Sequence, residues 1–187
     1  MMVKHHKILI FSSGSGTNAE QIIRYFSPKP SVEVLGVYSN NPSAFVLERA
    51  KQLGVSTHVF NREQFNNPAD LLKDLQAQSP DLIVLAGFLW KIPTHIIDAF
   101  PNKIINIHPA LLPKYGGKGM YGHHIHQAVI DAKETESGIS IHYVNNQYDQ
   151  GAIIFQAKTM INPDEDPDSL AQKIHKLEYR HFSEEIE

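Results

Sequence analysis

Short apolar runs alternate with segments of helical periodicity along the first half of the chain. The apolar runs predict strands at 7–11, 32–38, 57–60, 82–86 and 103–107. The helical spacing predicts helices between these strands, beginning near Thr17, Pro42, Pro68 and Pro93. Because strands and helices alternate, the pattern predicts an α/β fold in which helices cover both faces of a mostly parallel sheet.

The later part of the chain has a different pattern. Two strand-like runs, SGISIHYV and GAIIFQAKTMI, are joined by the polar stretch NNQYDQG, which predicts an antiparallel addition to the sheet. A final helix is predicted over 168–185, with one face formed by Leu170, Ile174, Leu177 and His181. No repeat, low-complexity tract or linker interrupts these elements. We therefore predict a single domain over residues 1–187 with a three-layer, Rossmann-like fold.

Composition and charge narrow the classes of function. The 17 Lys and Arg residues are scattered and the formal net charge is -3, whereas a nucleic-acid surface needs clustered basic residues. The absence of cysteine excludes a disulfide framework and a thiolate zinc site. The longest apolar stretch, 82–90, is far shorter than the roughly 18 residues of a membrane span. We therefore expect a cytoplasmic protein with neither a nucleic acid nor a membrane as its partner.

The stretch ILIFSSGSGTNAEQII contains a glycine-rich loop between the first strand and the first helix. Such a loop presents backbone N–H groups at a helix N-terminus, where the helix dipole favours an anion such as phosphate. The loop lacks the Gly-Lys-Ser/Thr ending of a P-loop, which disfavours hydrolysis of a nucleoside triphosphate. Gly14, Gly16 and Ala19 fit the looser G-x-G-x-x-G/A spacing of a dinucleotide site.

Two alternatives remain open for this loop from its residues. A nicotinamide-dinucleotide site needs an acidic residue after the second strand, where this chain has Ser39, Asn40 and Asn41. The glycines also fit a tight turn in which Ser15 or Thr17 caps the helix.

A second candidate region is IINIHPALLPKYGG, which contains the fifth predicted strand. Asn106 and His108 are two residues apart and so lie on one face of the strand, at its carboxyl end, where α/β sheets bind ligands. An amide and an imidazole placed there can polarise a carbonyl and stabilise an oxyanion, although a hydrogen-bonded pair without catalytic function is also typical. The histidines in HHIHQ are predicted to begin a helix rather than bind a metal.

The chain resembles the phosphoribosylglycinamide formyltransferase family, folate-dependent enzymes of purine synthesis. The resemblance covers 7–182 and rests on SGSGTN, LAGF, NIHPALLPKY and YDQGAIIFQ, in that order. The Asn-x-His-Pro and Leu-Leu-Pro motifs are shared by all hydrolases and transferases that use formyltetrahydrofolate. The loop motif belongs to members whose acceptor carries a ribose phosphate. The resemblance therefore implies that the loop binds the substrate's phosphate.

The resemblance also implies the site residues. The implied catalytic residues are Asn106, His108 and Asp149. The implied contacts to the nucleotide substrate are Gly16, Thr17, Asn18 and Glu178. The implied contacts to the folate are Arg62, Leu89, Trp90, Lys91, Ile92, Asn145, Asn146, Gln147 and Tyr148. It further implies glycinamide ribonucleotide as substrate, 10-formyltetrahydrofolate as co-substrate, no metal, and a monomer or weak homodimer.

The implied reaction is direct transfer of the formyl group to the substrate amine. Asn106 and protonated His108 would stabilise the oxyanion, and Asp149 would accept the amine's proton. The carboxylate of Asp149 is also expected to raise the pKa of His108 above its reference of roughly 6.5. A deformylase would share this trio but release formate, and it should lack the SGSGTN loop. A non-catalytic dinucleotide-binding module would need the missing acidic residue after VLGVY.

Overall fold

The computed structural model describes residues 5–187, and the chain divides into two compact units, one ending at Ile105 and the other comprising Asn106–Glu187. The strands are β1 His6–Phe11, β2 Val32–Ser39, β3 Thr57–Val59, β4 Leu82–Leu85, β5 Ile104–His108, β6 Glu136–Tyr143 and β7 Ile153–Met160. The helices are α1 Thr17–Phe26, α2 Phe45–Gln52, α3 Arg62–Asn66, α4 Leu71–Gln78, α5 Thr94–Ala99, α6 His123–Asp131 and α7 Pro167–Ile186.

The seven strands form a sheet with the order β3-β2-β1-β4-β5-β6-β7. β1 pairs in parallel with β2 and β4, β2 pairs in parallel with β3, and β6 pairs antiparallel with β7. The predicted fold class is therefore confirmed: a mostly parallel sheet with helices and an antiparallel part near the C-terminus. None of the helices within residues 5–187 is both long and apolar enough to cross a bilayer.

In the first unit, β1 is the central strand. Its last four residues, Ile8, Leu9, Ile10 and Phe11, are all buried, because a strand paired on both edges and covered by helices has no solvent-facing side. Helices α1 and α2 pack on each other and against β2, while α4 contacts both α3 and α5. The polar loop after β1 thus starts from a rigid, buried support.

The predicted helix starts agree with the structure to different degrees. α1 begins at Thr17, as predicted, and α5 begins one residue after Pro93. The starts near Pro42 and Pro68 were three residues too early, because α2 begins at Phe45 and α4 at Leu71. A short helix, α3, was missed. Its N-terminus is a capping box in which Asn61 Oδ1 accepts from the Gln64 N–H and Gln64 Oε1 accepts from the Asn61 N–H, each at 2.9 Å.

The second unit contains β6, β7, α6 and α7. Residues 137–142 of β6 are all buried, whereas β7, an edge strand, has no buried residue. Helix α7 packs against α6, β6 and β7. Its bounds are within one residue of the predicted range at each end. Its buried row is correct at Leu170 and Ile174 but then continues to Glu178 and Phe182, not to Leu177 and His181. The single-domain organisation stays a prediction.

Candidate active site

The glycine-rich loop of the first unit is held by backbone geometry. Gly16 is the N-cap of α1, with φ 74° and no side-chain capping hydrogen bond, so capping by Ser15 or Thr17 was a wrong alternative. A Cβ atom at Gly16 would overlap Val46, so glycine is required there by both the left-handed conformation and the close approach of α2. Thr17 and Asn18 are half-buried at the start of α1.

Ser13 connects this loop to two others in the first unit. Its hydroxyl donates to Asn40 Oδ1 at 2.6 Å and accepts from the Leu89 N–H at 3.0 Å. Asn40 stands where a dinucleotide site would carry its acidic residue, and here it is used to hold the loop. Because the loops after β1, β2 and β4 meet at Ser13, the structure brings the predicted phosphate loop and the start of the predicted folate segment together.

The predicted folate residues of the first unit have unequal exposure. Leu89 and Lys91 are exposed, Trp90 is half-buried, and Ile92 is buried in the core, which leaves only backbone groups of Ile92 for a ligand. The guanidinium carbon of Arg62 lies 3.7 Å from the centre of the Trp90 ring. This cation–π contact joins two predicted folate residues that are far apart in sequence.

In the second unit, His108 at the end of β5 is buried with 4% exposure. Its Nε2 lies 2.8 Å from the Tyr115 carbonyl oxygen, and since a carbonyl only accepts, Nε2 carries a proton. Nδ1 lies 3.7 Å from Asp149 Oδ1. The predicted pair of His108 and Asp149 is thus brought together, with the unprotonated nitrogen of the neutral ring facing the carboxylate.

His142 on β6 completes this cluster, and the sequence analysis missed it. His142 Nδ1 donates to the Tyr143 carbonyl oxygen at 2.8 Å, which leaves Nε2 of the neutral ring as an acceptor. That Nε2 lies 3.1 Å from Asn106 Nδ2 and 3.6 Å from Asp149 Oδ1. The available signal was the polar pair Ser140 and His142, two residues apart and alternating with the apolar Ile139 and Ile141.

Asp149 lies in the loop between β6 and β7 with a left-handed backbone, φ 53°. Its Oδ2 accepts from the Gly117 N–H at 2.8 Å. Burial alone would raise the pKa of Asp149, but the carboxylate is stabilised by the His142 and His108 rings when these are protonated and by the Gly117 amide, so its pKa is below its usual value. The carboxylate is therefore ionised at neutral pH.

The predicted rise in the pKa of His108 is wrong. Burial removes water from the ring and lowers its pKa, and this effect outweighs the opposite influence of the Asp149 carboxylate and the Tyr115 carbonyl. The sequence placed a carboxylate near His108 correctly but did not reveal how deeply the ring is buried. In the free protein at neutral pH, His108 is the neutral imidazole.

The remaining predicted residues of the second unit lie on two elements. Glu178 is buried on α7, with His175 Nδ1 2.9 Å from its Oε2. Hydrogen bonding to Glu178 raises the pKa of His175. The loop residues Asn145, Asn146, Gln147 and Tyr148 are all exposed. Asn145 Oδ1 accepts from the Gln147 N–H at 2.9 Å, which forms a local turn directly before Asp149.

Within residues 5–187, no three His, Asp or Glu side chains are placed to hold a metal ion. The half-buried cluster in the second unit offers an amide hydrogen-bond donor, an imidazole that can gain a proton, and an ionised carboxylate. These groups can stabilise negative charge on an oxygen and accept a proton from a nucleophile.

A polar cluster at the end of a buried strand, in a mostly parallel sheet, is typical of the ligand sites of the Rossmann-like α/β class. Within that class the chain belongs to the formyl transferase family, whose model matches residues 6–186. The resemblance found in the sequence is thereby confirmed.

Several similar proteins are named phosphoribosylglycinamide formyltransferase. The Haemophilus influenzae protein of this name is 38% identical over 93% of this chain and 82% of its own length. The chloroplastic protein of Arabidopsis thaliana is 34% identical over 98% of this chain. The solved structure from Streptococcus pneumoniae has a TM-score of 0.85 and 34% identity, and the match covers 97% of both chains.

The chain is shorter than some relatives. It spans 65% of the Arabidopsis protein. It spans 13% of the Drosophila melanogaster trifunctional purine biosynthetic protein adenosine-3, to which it is 36% identical over 96% of its own length.

Proposed function

We propose that this chain transfers the formyl group of 10-formyltetrahydrofolate to the amine of glycinamide ribonucleotide, a step of purine biosynthesis. The observation that carries the proposal is the half-buried cluster in which His108 Nδ1 faces Asp149 and Asn106 contacts His142. The names of the similar proteins support the choice of substrate and of reaction. A cytoplasmic location and a monomer or weak homodimer remain predictions.

The proposed reaction begins when the amine nitrogen of the substrate attacks the formyl carbon. A C–N bond forms and the formyl oxygen becomes an oxyanion. One N–H of the Asn106 amide contacts His142, so the other N–H remains to donate to this oxygen. The bond between the formyl carbon and the folate nitrogen then breaks, and that nitrogen takes the proton released by the amine.

His108 and Asp149 have separate roles in this proposal. Negative charge developing on the formyl oxygen favours uptake of a proton from water at His108 Nδ1, and this proton returns to water when the oxyanion collapses. The cation formed is stabilised by Asp149 Oδ1, 3.7 Å from Nδ1. The imidazolium in turn stabilises the oxyanion. Asp149, ionised at neutral pH, accepts the amine's proton directly or through water and returns it to the departing nitrogen.

Each proposed binding role matches the chemical groups that the segment offers to a ligand. Gly16, Thr17 and Asn18 offer backbone N–H groups at the positive end of α1 to the substrate's phosphate. Arg62, stacked on Trp90, offers a cation to the carboxylates of the folate's glutamate tail. Glu178 is assigned to the nucleotide substrate. Leu89–Ile92 and the loop 145–148 are assigned to the folate.

A paired assay tests the proposal against hydrolysis, which the same trio would also support. Purified protein is incubated with 10-formyltetrahydrofolate, with and without glycinamide ribonucleotide, and both formylated product and free formate are measured. We expect formylated product only when the acceptor is present, and little formate in either case. Formate release that is independent of the acceptor would identify a deformylase instead. The Asn106→Ala variant serves as the inactive control.

A further inference from the structure

Arg49 on α2 reaches the glycine-rich loop of the first unit. Its Nε donates to the Ser15 carbonyl oxygen at 2.9 Å, and its Nη1 forms an ion pair with Glu20 Oε2 on α1. The guanidinium carbon also lies 4.8 Å from the centre of the Phe45 ring. The side chain is only 28% exposed. A cation with three simultaneous contacts is held in a single orientation.

Three successive carbonyls of the loop are occupied by donors from the protein. The carbonyl of Gly14 accepts from the Val46 N–H at 3.1 Å, that of Ser15 from Arg49, and that of Gly16 from the Glu20 N–H at 2.9 Å. Of these three donors, Arg49 supplies the only side chain.

The direction of these carbonyls determines the direction of the loop amides. In a planar trans peptide unit, the C=O group and the N–H group of the next residue point in opposite directions. The N–H groups of Ser15, Gly16 and Thr17 belong to the same three peptide units and so point away from the three donors. Successive backbone N–H groups that point to one side of a turn can bind an anion between them.

We propose that Arg49 is a positioning residue for phosphate binding: by holding the Ser15 carbonyl, it keeps the Gly16 N–H directed toward the substrate's phosphate. The inference rests on the proposed function, in which this loop binds a phosphate. Arg49 acts through the loop and through α1, and its contacts are all to protein groups.

The chemistry of arginine explains why this residue type is needed. A guanidinium has several donors in a rigid fork, so it can bind the carbonyl and the Glu20 carboxylate at once. A lysine at this position would keep the charge but would bring a single nitrogen to both partners. Arg24 provides a matched control, because its Nη2 lies 2.9 Å from Oε1 of the same Glu20. Within residues 5–187, Arg24 forms hydrogen bonds to Glu20 and not to the loop.

Calorimetric titration with inorganic phosphate tests the inference without turnover. We expect the Kd for phosphate to rise about tenfold or more in Arg49→Gln, because a charge-assisted bond that orients the loop is lost. Arg49→Lys should recover only part of this loss, and Arg24→Gln should bind phosphate as the parent does. If Arg49→Gln does not fold, Arg49→Lys against Arg24→Gln gives the same comparison.

Steady-state kinetics provide the second readout. Arg49→Gln should raise the KM for glycinamide ribonucleotide, with kcat and the KM for the folate close to the parent values. An equal loss for both substrates would indicate a merely structural role and overturn the inference. An unchanged Kd for phosphate would also overturn it while leaving the proposed function intact. If the parent itself does not bind phosphate, the phosphate-loop assignment in the proposed function fails as well.

Discussion

His142 Nε2 and Asn106 Nδ2 lie 3.1 Å apart, and this contact orients the Asn106 amide. The two ends of an amide side chain differ only in their hydrogen-bonding capacity, so an acceptor on one side decides which end faces it. His142 Nδ1 donates to the Tyr143 carbonyl oxygen, which makes Nε2 the acceptor in the neutral ring. The second N–H of the Asn106 amide is then available for the formyl oxygen of the proposed reaction.

We expect His142→Ala to lower kcat by up to about a hundredfold, because a small misplacement of a catalytic group has an effect of that size. Both KM values should change little. His142→Gln should restore part of the lost activity, since the Gln oxygen can accept from Asn106. If Ala and Gln variants had the same kcat, His142 would not act through this hydrogen bond.

Replacement of His108 tests the main group proposed to stabilise the oxyanion. Loss of one such group typically lowers turnover by roughly a hundred- to a thousandfold, and we expect His108→Ala to fall in this range. Binding of both substrates should persist. The matched control is His124→Ala, which removes an exposed histidine on α6 and should leave turnover unchanged. Turnover of His108→Ala within a few-fold of the parent would contradict the assigned role.

The pKa of His108 can be measured directly by NMR titration. In the parent it should lie below the ordinary value of about 6.5, because burial outweighs the charge of Asp149. Asp149→Asn removes that opposite charge, so the pKa should fall further. Turnover should also fall, because the amine's proton loses its acceptor. An identical pKa in parent and variant would show that the two residues are not electrostatically coupled.

Gly16 and Gly54 form a matched pair for testing the glycine-rich loop. Both have φ 74°, but a Cβ atom at Gly16 would overlap Val46, whereas nothing lies within 4 Å of one at Gly54. Gly54→Ala should cost only the left-handed strain, about 1–2 kcal/mol. Gly16→Ala should cost roughly a further 1–3 kcal/mol, because the backbone of α2 must move. Equal unfolding free energies in urea would mean that the loop and α2 adjust freely.

His126 on α6 should make stability depend on pH. Burial lowers its pKa to about 4, and His175 and His123 act in the same direction while Glu178 opposes them. A depressed histidine pKa means that the unfolded chain binds the proton more tightly. Stability is therefore complete above about pH 6.5 and falls as the pH decreases toward 4, by on the order of 1–3 kcal/mol.

The measurement is the unfolding free energy at several pH values between 6.5 and 4. His126→Gln should have a shallower slope in that window than the parent. His108 has a depressed pKa for the same reason and contributes in the same direction, so some slope remains in the variant. Parallel slopes in the two proteins would assign the pH dependence to other groups.

Much of the fold was predictable because it depends on local patterns. Buried strands such as β1 and β4 appear as short apolar runs, and α1 begins directly after its glycine-rich loop. The missed helix α3 had a local signal too, the Asn61-x-x-Gln64 capping box. On α7 the predicted buried face is wrong after Ile174. The next buried residue is the charged Glu178, which a search for apolar residues does not include.

By itself, the sequence determined the α/β class, the place of the two candidate loops and the family, since each depends on residue order and short-range periodicity. The tertiary structure decided what each polar group contacts. It paired Asn106 with His142, placed Arg49 on the Ser15 carbonyl, and buried His108 enough to reverse the predicted direction of its pKa. Hydrogen bonds and desolvation depend on neighbours that are distant in the chain, and spacing along the chain carries no information on these distances.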